Sequence, residues 1–133
     1  MREFHLQIAT PDGLVFDGNA ESILVRTDNG DVEILAGHTD LFAPVGIGIA
    51  RVKTGGSVRA ASSAGGFISV SHGEVRLVST TFEFADEIDL SRARTAKENA
   101  ERTISNSSDD KIIRIAKAKL ARAINRINAA EFK

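Results

Sequence analysis

Phe4, Leu6 and Ile8 alternate with His5 and Gln7 near the head of the chain, the period of a strand that buries one face. Thr10-Pro11-Asp12-Gly13 closes this run as a turn, because proline presets one backbone angle and glycine accepts a positive φ. The alternation returns at Leu14/Phe16, Ile23/Val25, Val32/Ile34, Ile47/Ile49, Val58/Ala60, Phe67/Ser69 and Val75/Leu77. Asp28-Asn29-Gly30, Thr54-Gly55-Gly56, Ala64-Gly65-Gly66 and Ser71-His72-Gly73 separate the runs as turn signals. Roughly eight to ten short strands at this spacing predict an all-β sandwich or flattened barrel.

Near residue 85 the period changes to that of a helix. Ala93, Ala96, Ala100 and Thr103/Ile104 recur three and four apart between Leu90 and Ile104, which predicts one amphipathic helix. Ile113, Ala116, Leu120, Ala123/Ile124 and Ile127 predict a second, from Asp110 to about Glu131. Ser105-Asn106-Ser107-Ser108-Asp109-Asp110 lies between them, rich in residues that stop one helix and cap the next. So short a connection makes the helices antiparallel neighbours. The first begins in Asp86-Glu87-Ile88-Asp89-Leu90-Ser91-Arg92-Ala93-Arg94, where acids lead and arginines follow. Carboxylates there suit the positive end of a helix. An alanine seam buries little apolar area, at about 25 cal/mol per Å², so the pair is either a docked hairpin or one able to separate while staying helical. The chain thus divides into residues 1–84 and 85–133.

Composition sharpens that division. All eleven glycines and both prolines precede residue 74. Residues 1–84 carry a net charge of −4 and residues 85–133 a net charge of +3. The overall charge of −1 argues against nucleic acid as a partner, which calls for a basic excess. Cysteine is absent, so there is no disulfide framework and no thiolate metal site, as suits a reducing compartment. No run approaches the roughly 18 apolar residues of a membrane span, and the first residues lack a signal-peptide core. Direct membrane insertion is therefore not expected.

Catalytic patterns are missing. His5, His38 and His72 stand apart from one another, without the spacing of metal ligands. There is no GxxxxGK[ST] phosphate loop and no GxSxG elbow. An independent enzyme is not expected, nor a required cofactor. Arg122 and Arg126, four apart, share one face of the second helix. Folding the hairpin about residue 107 brings Asp89 and Arg92 to the same end. A solvated, salt-bridged surface accounts for these charges, and so does an anion site in which guanidinium groups hold phosphate.

Four segments in register carry a family resemblance. They are Leu6–Gly13 (LQIATPDG), Asn29–Leu41 (NGDVEILAGHTDL), Ser63–Val70 (SAGGFISV) and the Ile88-Asp89-x-x-Arg92-Ala93 group. Together they resemble the epsilon subunits of bacterial F-type ATP synthases: a first strand and turn, an [IL]LPGHxPL loop, an SGGFLEV strand entry and an [IL]DxxRA motif. The resemblance implies a sandwich of about ten strands followed by a two-helix C-terminal hairpin. It implies a non-catalytic place in the central stalk, bound to the gamma subunit and the c-subunit ring, coupling proton flow to ATP synthesis. The protein would then lie at the cytoplasmic face of the bacterial cell membrane as a peripheral part of the synthase.

Residue roles follow from the same resemblance. Asp31, Glu33 and His38 would form a rotor contact loop. When the helices extend, Arg114, Lys117, Lys119 and Arg122 would meet the alpha/beta catalytic head and inhibit ATP hydrolysis. When they fold down, ATP would bind as a regulatory ligand at Glu83, Ile88, Asp89, Arg92, Ala93, Arg122 and Arg126. Nucleotide-binding relatives carry a further arginine where this chain has Asn99, and one lost charge-assisted contact weakens binding by about 1.5–3 kcal/mol. Ala36, Asp40 and Glu33 also depart from the family's loop pattern. A free-standing ATP-sensing protein is the alternative from a different functional class.

Overall fold

The computed structural model describes residues 2–132. Ten strands come first: β1 (Phe4–Thr10), β2 (Gly13–Ala20), β3 (Ser22–Thr27), β4 (Gly30–Leu35), β5 (Leu41–Pro44), β6 (Gly48–Thr54), β7 (Ser57–Ala64), β8 (Phe67–Ser71), β9 (Glu74–Val78) and β10 (Thr81–Phe84). They form two five-stranded sheets, in the orders β2-β1-β9-β8-β5 and β10-β7-β6-β3-β4. Pairing is antiparallel except between β1 and β9. Leu6, Ile8, Ile68, Val70, Val75 and Leu77 from the first sheet meet Ile23, Val25, Ile34, Val52, Phe82 and Phe84 from the second. The predicted β-sandwich is therefore the observed one.

Several of the predicted strand faces require correction, beginning with Leu14 of β2, which is 63% exposed. On β6 the buried residues are Ala50 and Val52, whereas Ile47, just before the strand, is 43% exposed. On β8 the buried pair is Ile68 and Val70 rather than Phe67/Ser69, and Phe67 stacks on exposed Phe42 with ring centroids 4.9 Å apart. On β7, Val58 is exposed. On β8, the Phe42 contact holds Phe67 on the outer face. For β6 and β7 the reason is that they are covered twice, by the core on one side and by a helix on the other. Apolar residues then fit on either face, and the period-2 signal no longer names the inward one. The short strands β5 and β10 had no alternating pair of their own among the predicted runs.

A 3-10 turn, Ala85–Glu87, leads from β10 to α1 (Leu90–Asn106), which a three-residue loop joins to α2 (Asp110–Ala130). Both helices start on an aspartate, as local capping rules require. Asp89 accepts from the Arg92 backbone N–H at 3.1 Å. Asp109 accepts from those of Lys111 and Ile112 at 2.9 and 3.2 Å. The hairpin is folded against the sandwich. α2 crosses β7, β6 and β10, while α1 makes its main contacts with α2. The buried positions are Ala93 and Ala100 on α1, and Ala116, Ala123, Asn125 and Ala129 on α2. Ala96, expected on the seam, is exposed instead. At the far end Arg51 lies 4.5 Å over the Phe132 ring, and Arg94 pairs with Glu131 at 3.5 Å.

Candidate regulatory ligand site

On β10 the inward side chains are Phe82 and Phe84, so Thr81 and Glu83 face outward, toward the hairpin. On α2 the three- and four-residue spacing brings Ile112, Ile115, Lys119, Arg122 and Arg126 along one side. These two surfaces, with Asn99 of α1, enclose a partly open cavity of about 600 Å³, within the usual size of small-ligand sites. Its apolar lining comes from Ile112, Ile115, Ala96 and Ala100. Its charged lining comes from Glu83, Lys119, Arg122 and Arg126. Such a space suits a ligand with an apolar or planar part and an anionic part.

Among the charged lining residues, Arg126 Nε donates to Glu83 Oε1 at 2.7 Å, and its terminal nitrogen lies 3.4 Å from Oε2. The pair is 28% and 39% exposed at its two side chains. Arg122 and Lys119 line the same cavity, and neither forms an ion pair among the described residues. They are available cations beside a neutralised one. Guanidinium groups suit phosphate because they offer two parallel donors to its oxygens.

Glu83, Arg122 and Arg126 are thus brought together. Ile88, Asp89, Arg92 and Ala93 stand outside the lining, at the start of α1. Asp89 is occupied as the cap, Arg92 is exposed, and Ala93 is wholly buried. Arg114 and Lys117 are exposed on α2, away from the cavity. Of the three residues assigned to a contact loop, Asp31 and Glu33 instead belong to strand β4. Asp31 pairs with Arg26 at 3.2 Å, and Glu33 borders a broad trough shared with Arg51, Lys53 and Phe132. Only His38 is in the loop, where its Nδ1 lies 2.7 Å from the Thr39 carbonyl. Asp40 accepts from the His72 backbone N–H at 3.2 Å, so the residue that departs from the family's loop pattern ties that loop to the β8–β9 turn.

Two features escaped the sequence reading. Asn125 is a buried polar residue whose amide donates to the Gly48 carbonyl at 2.8 Å and to Ser62 Oγ at 3.0 Å. Its signal was an asparagine between Ala123 and Ala129, on the buried stripe of α2. The other is His5, held between Glu74 on Nδ1 and Asp17 on Nε2, each at 2.6 Å. The hydrogen bonds that His5 donates to Asp17 and then to Glu74 raise its pKa above 6.5. The bond from His5 lowers that of Asp17. These partners lie on three strands, and no local pattern joins them. Among the described residues no group of three or more His, Cys, Asp or Glu is placed to hold a metal ion, and no helix is long and apolar enough to cross a membrane.

Residues 3–85 match the family model of the ATP synthase delta/epsilon chain beta-sandwich domain, and residues 86–131 that of its long alpha-helix domain. The chain belongs to the ATP synthase delta/epsilon family. Its relatives include the ATP synthase epsilon chain of Bacillus velezensis, 40% identical over 98% of both chains. That of Caldicellulosiruptor saccharolyticus is 38% identical over 98% of this chain and 96% of the other. That of Bacillus mycoides is 35% identical over the full length of both. These full-length matches make it an epsilon-type member. Among solved structures, a chain in the OSCP/F1/c-ring of the Euglena gracilis mitochondrial ATP synthase superposes with a TM-score of 0.79 at 25% identity. It covers 92% of this chain and 78% of that one. A chain in the central stalk/c-ring of the Tetrahymena thermophila mitochondrial enzyme shares the fold, with a TM-score of 0.65 at 12% identity over 97% of both.

Proposed function

We propose that this chain is a non-catalytic central-stalk subunit that couples proton translocation to ATP synthesis and restrains ATP hydrolysis through its C-terminal helices. The sandwich binds the gamma subunit and the c-subunit ring, and through them the chain sits peripherally at the cytoplasmic face of the bacterial membrane. In the extended state Arg114, Lys117, Lys119 and Arg122 meet the alpha/beta head. The regulatory half rests on one observation: the cavity holding Glu83, Arg122 and Arg126 has walls from both the hairpin and the sandwich, so it exists only while the helices are folded down.

A ligand bound there stabilises the folded hairpin by RT ln(1 + [L]/Kd), about 2.7 kcal/mol at a hundredfold excess over Kd. ATP supplies both halves of the complementary chemistry, a planar base and a polyphosphate, and acts as regulator rather than cofactor. Plentiful ATP then favours the non-inhibitory state. Asp89 and Arg92 join the site if the start of α1 closes on the phosphates.

Calorimetry with ATP on the wild type, Arg122→Ala and Arg126→Ala tests the ligand. Binding to the wild type that is weakened in both variants supports the reading, and equal heats in all three refute it. Removing the residues after 87 from the assembled synthase tests inhibition, which requires faster hydrolysis. Tight ATP binding by a chain that never associates with gamma would favour the free-standing sensor.

A further inference from the structure

Alanine supplies every buried apolar position of the hairpin, Ala93 and Ala100 on α1 and Ala116, Ala123 and Ala129 on α2, with Ile104, Ile113, Leu120 and Ile127 half-buried around them. Methyl groups form a smooth contact, and a helix seated through them meets little steric resistance to sliding or rolling. Yet Arg126 meets Glu83 in only one such seating. Alanines alone do not select it.

Asn125 is the buried polar residue of the two helices among the described residues, 9% exposed, and it immediately precedes Arg126. Its Nδ2 donates to the Gly48 carbonyl of β6 and to Ser62 Oγ of β7, so two neighbouring strands grip one side chain of α2. A carbonyl oxygen only accepts, which fixes which end of the amide faces Gly48. Any other seating of the helix leaves the amide and the buried Ser62 hydroxyl without partners. The alanine contacts change little on the same displacement. An unpaired buried polar group is costly, whereas a shifted methyl contact is not.

We propose that Asn125 is a positioning residue for the cavity: a register pin that selects the one seating of α2 in which Arg126 meets Glu83 and Arg122 lines the same space. A single buried asparagine sets helix register in coiled coils for the same physical reason. The part of the proposal concerning ligand affinity rests on the nucleotide reading above; the part concerning register does not.

The chain has no cysteine, so spin labels go cleanly onto Asp12→Cys and Ala118→Cys, both at exposed positions. Pulsed electron–electron resonance on the nucleotide-free protein should give one narrow distance. Asn125→Leu keeps the branched side-chain shape and removes the polar grip. It should broaden that distance or add a second population, and reduce ATP affinity at least tenfold, while the sandwich melts as before. Ser62→Ala should act in the same direction and add nothing to Asn125→Leu when the two are combined. A single narrow distance in Asn125→Leu, equal to that of the wild type, overturns the pin. Should the wild type bind no ATP, the nucleotide reading fails and the pin is judged by the distances alone.

Discussion

Arg126 Nε lies 2.7 Å from Glu83 Oε1, joining the second helix to the last strand of the sandwich across 43 residues of sequence. The contact ties the hairpin to the sandwich. It also leaves one cation of the cavity neutralised and Arg122 and Lys119 free of ion pairs among the described residues.

Replacing Glu83 by glutamine removes the charge and keeps the shape. Charge-assisted, partly screened pairs of this kind contribute about 0.5–1 kcal/mol. Hydrogen exchange of α2 amides should therefore quicken a few-fold in Glu83→Gln, with the strands of the first sheet unchanged. Unaltered α2 exchange would show that the pair contributes nothing to docking.

Asn99 borders the cavity opposite α2, where an arginine side chain would reach the same space as Arg122. Asn99→Arg should tighten ATP binding by about 10- to 100-fold, corresponding to about 1.5–3 kcal/mol for one charge-assisted contact. Titration calorimetry on the two proteins measures the ratio directly. A ratio near unity would place the phosphates elsewhere.

His5 bonds two carboxylates, one on each ring nitrogen, and only the protonated ring donates from both. Its folded pKa is raised above 6.5, chiefly by the hydrogen bond to Asp17 and then by that to Glu74. Its contribution is fully present below the ordinary value of 6.5 and is lost as pH rises through the raised one. Asp17 behaves oppositely. Its pKa is lowered below 3.8 by the bond from His5, so its share is present above 3.8 and lost on acidification through the lowered value. Other charges on this face are Glu3 of the N-terminal segment and Arg76 of β9. The melting-temperature gap between wild type and His5→Gln should be wide near pH 5.5 and narrow by about pH 9. A gap that stays constant across that range would remove the cluster from the pH dependence.

Gly66 turns β7 into β8 with φ +88°, and an added Cβ there would collide with the Val78 carbonyl oxygen. Backbone at such a neighbour does not yield cheaply. Strain and overpacking together should cost Gly66→Ala about 3 kcal/mol or more, read as a lower urea midpoint. Gly55→Ala is the control, since its φ is also positive, at +55°, but nothing lies within 4 Å of the added atom. Equal midpoints for the two variants would show that the collision is relieved.

Much of this architecture is local, and the local part could be read along the chain. Turn glycines, alternating Phe4/Leu6/Ile8, and the capping aspartates Asp89 and Asp109 each act within a few residues of themselves. They set eight of the ten strands, the start of both helices and the change of construction near residue 85. Arg122 and Arg126 share a helix face for the same reason, and both do reach the cavity. What lay beyond the sequence depends on partners distant along the chain. β6 and β7 lost their inward–outward signal because α2 covers their second face, so Ile47 and Val58 misled. Glu83 meets Arg126, Asn125 meets Gly48 and Ser62, and His5 meets Asp17 and Glu74 only after two sheets and a hairpin have assembled. Periodicity assigns a side chain to a face of its own element; the packing of that element against others determines what the face meets.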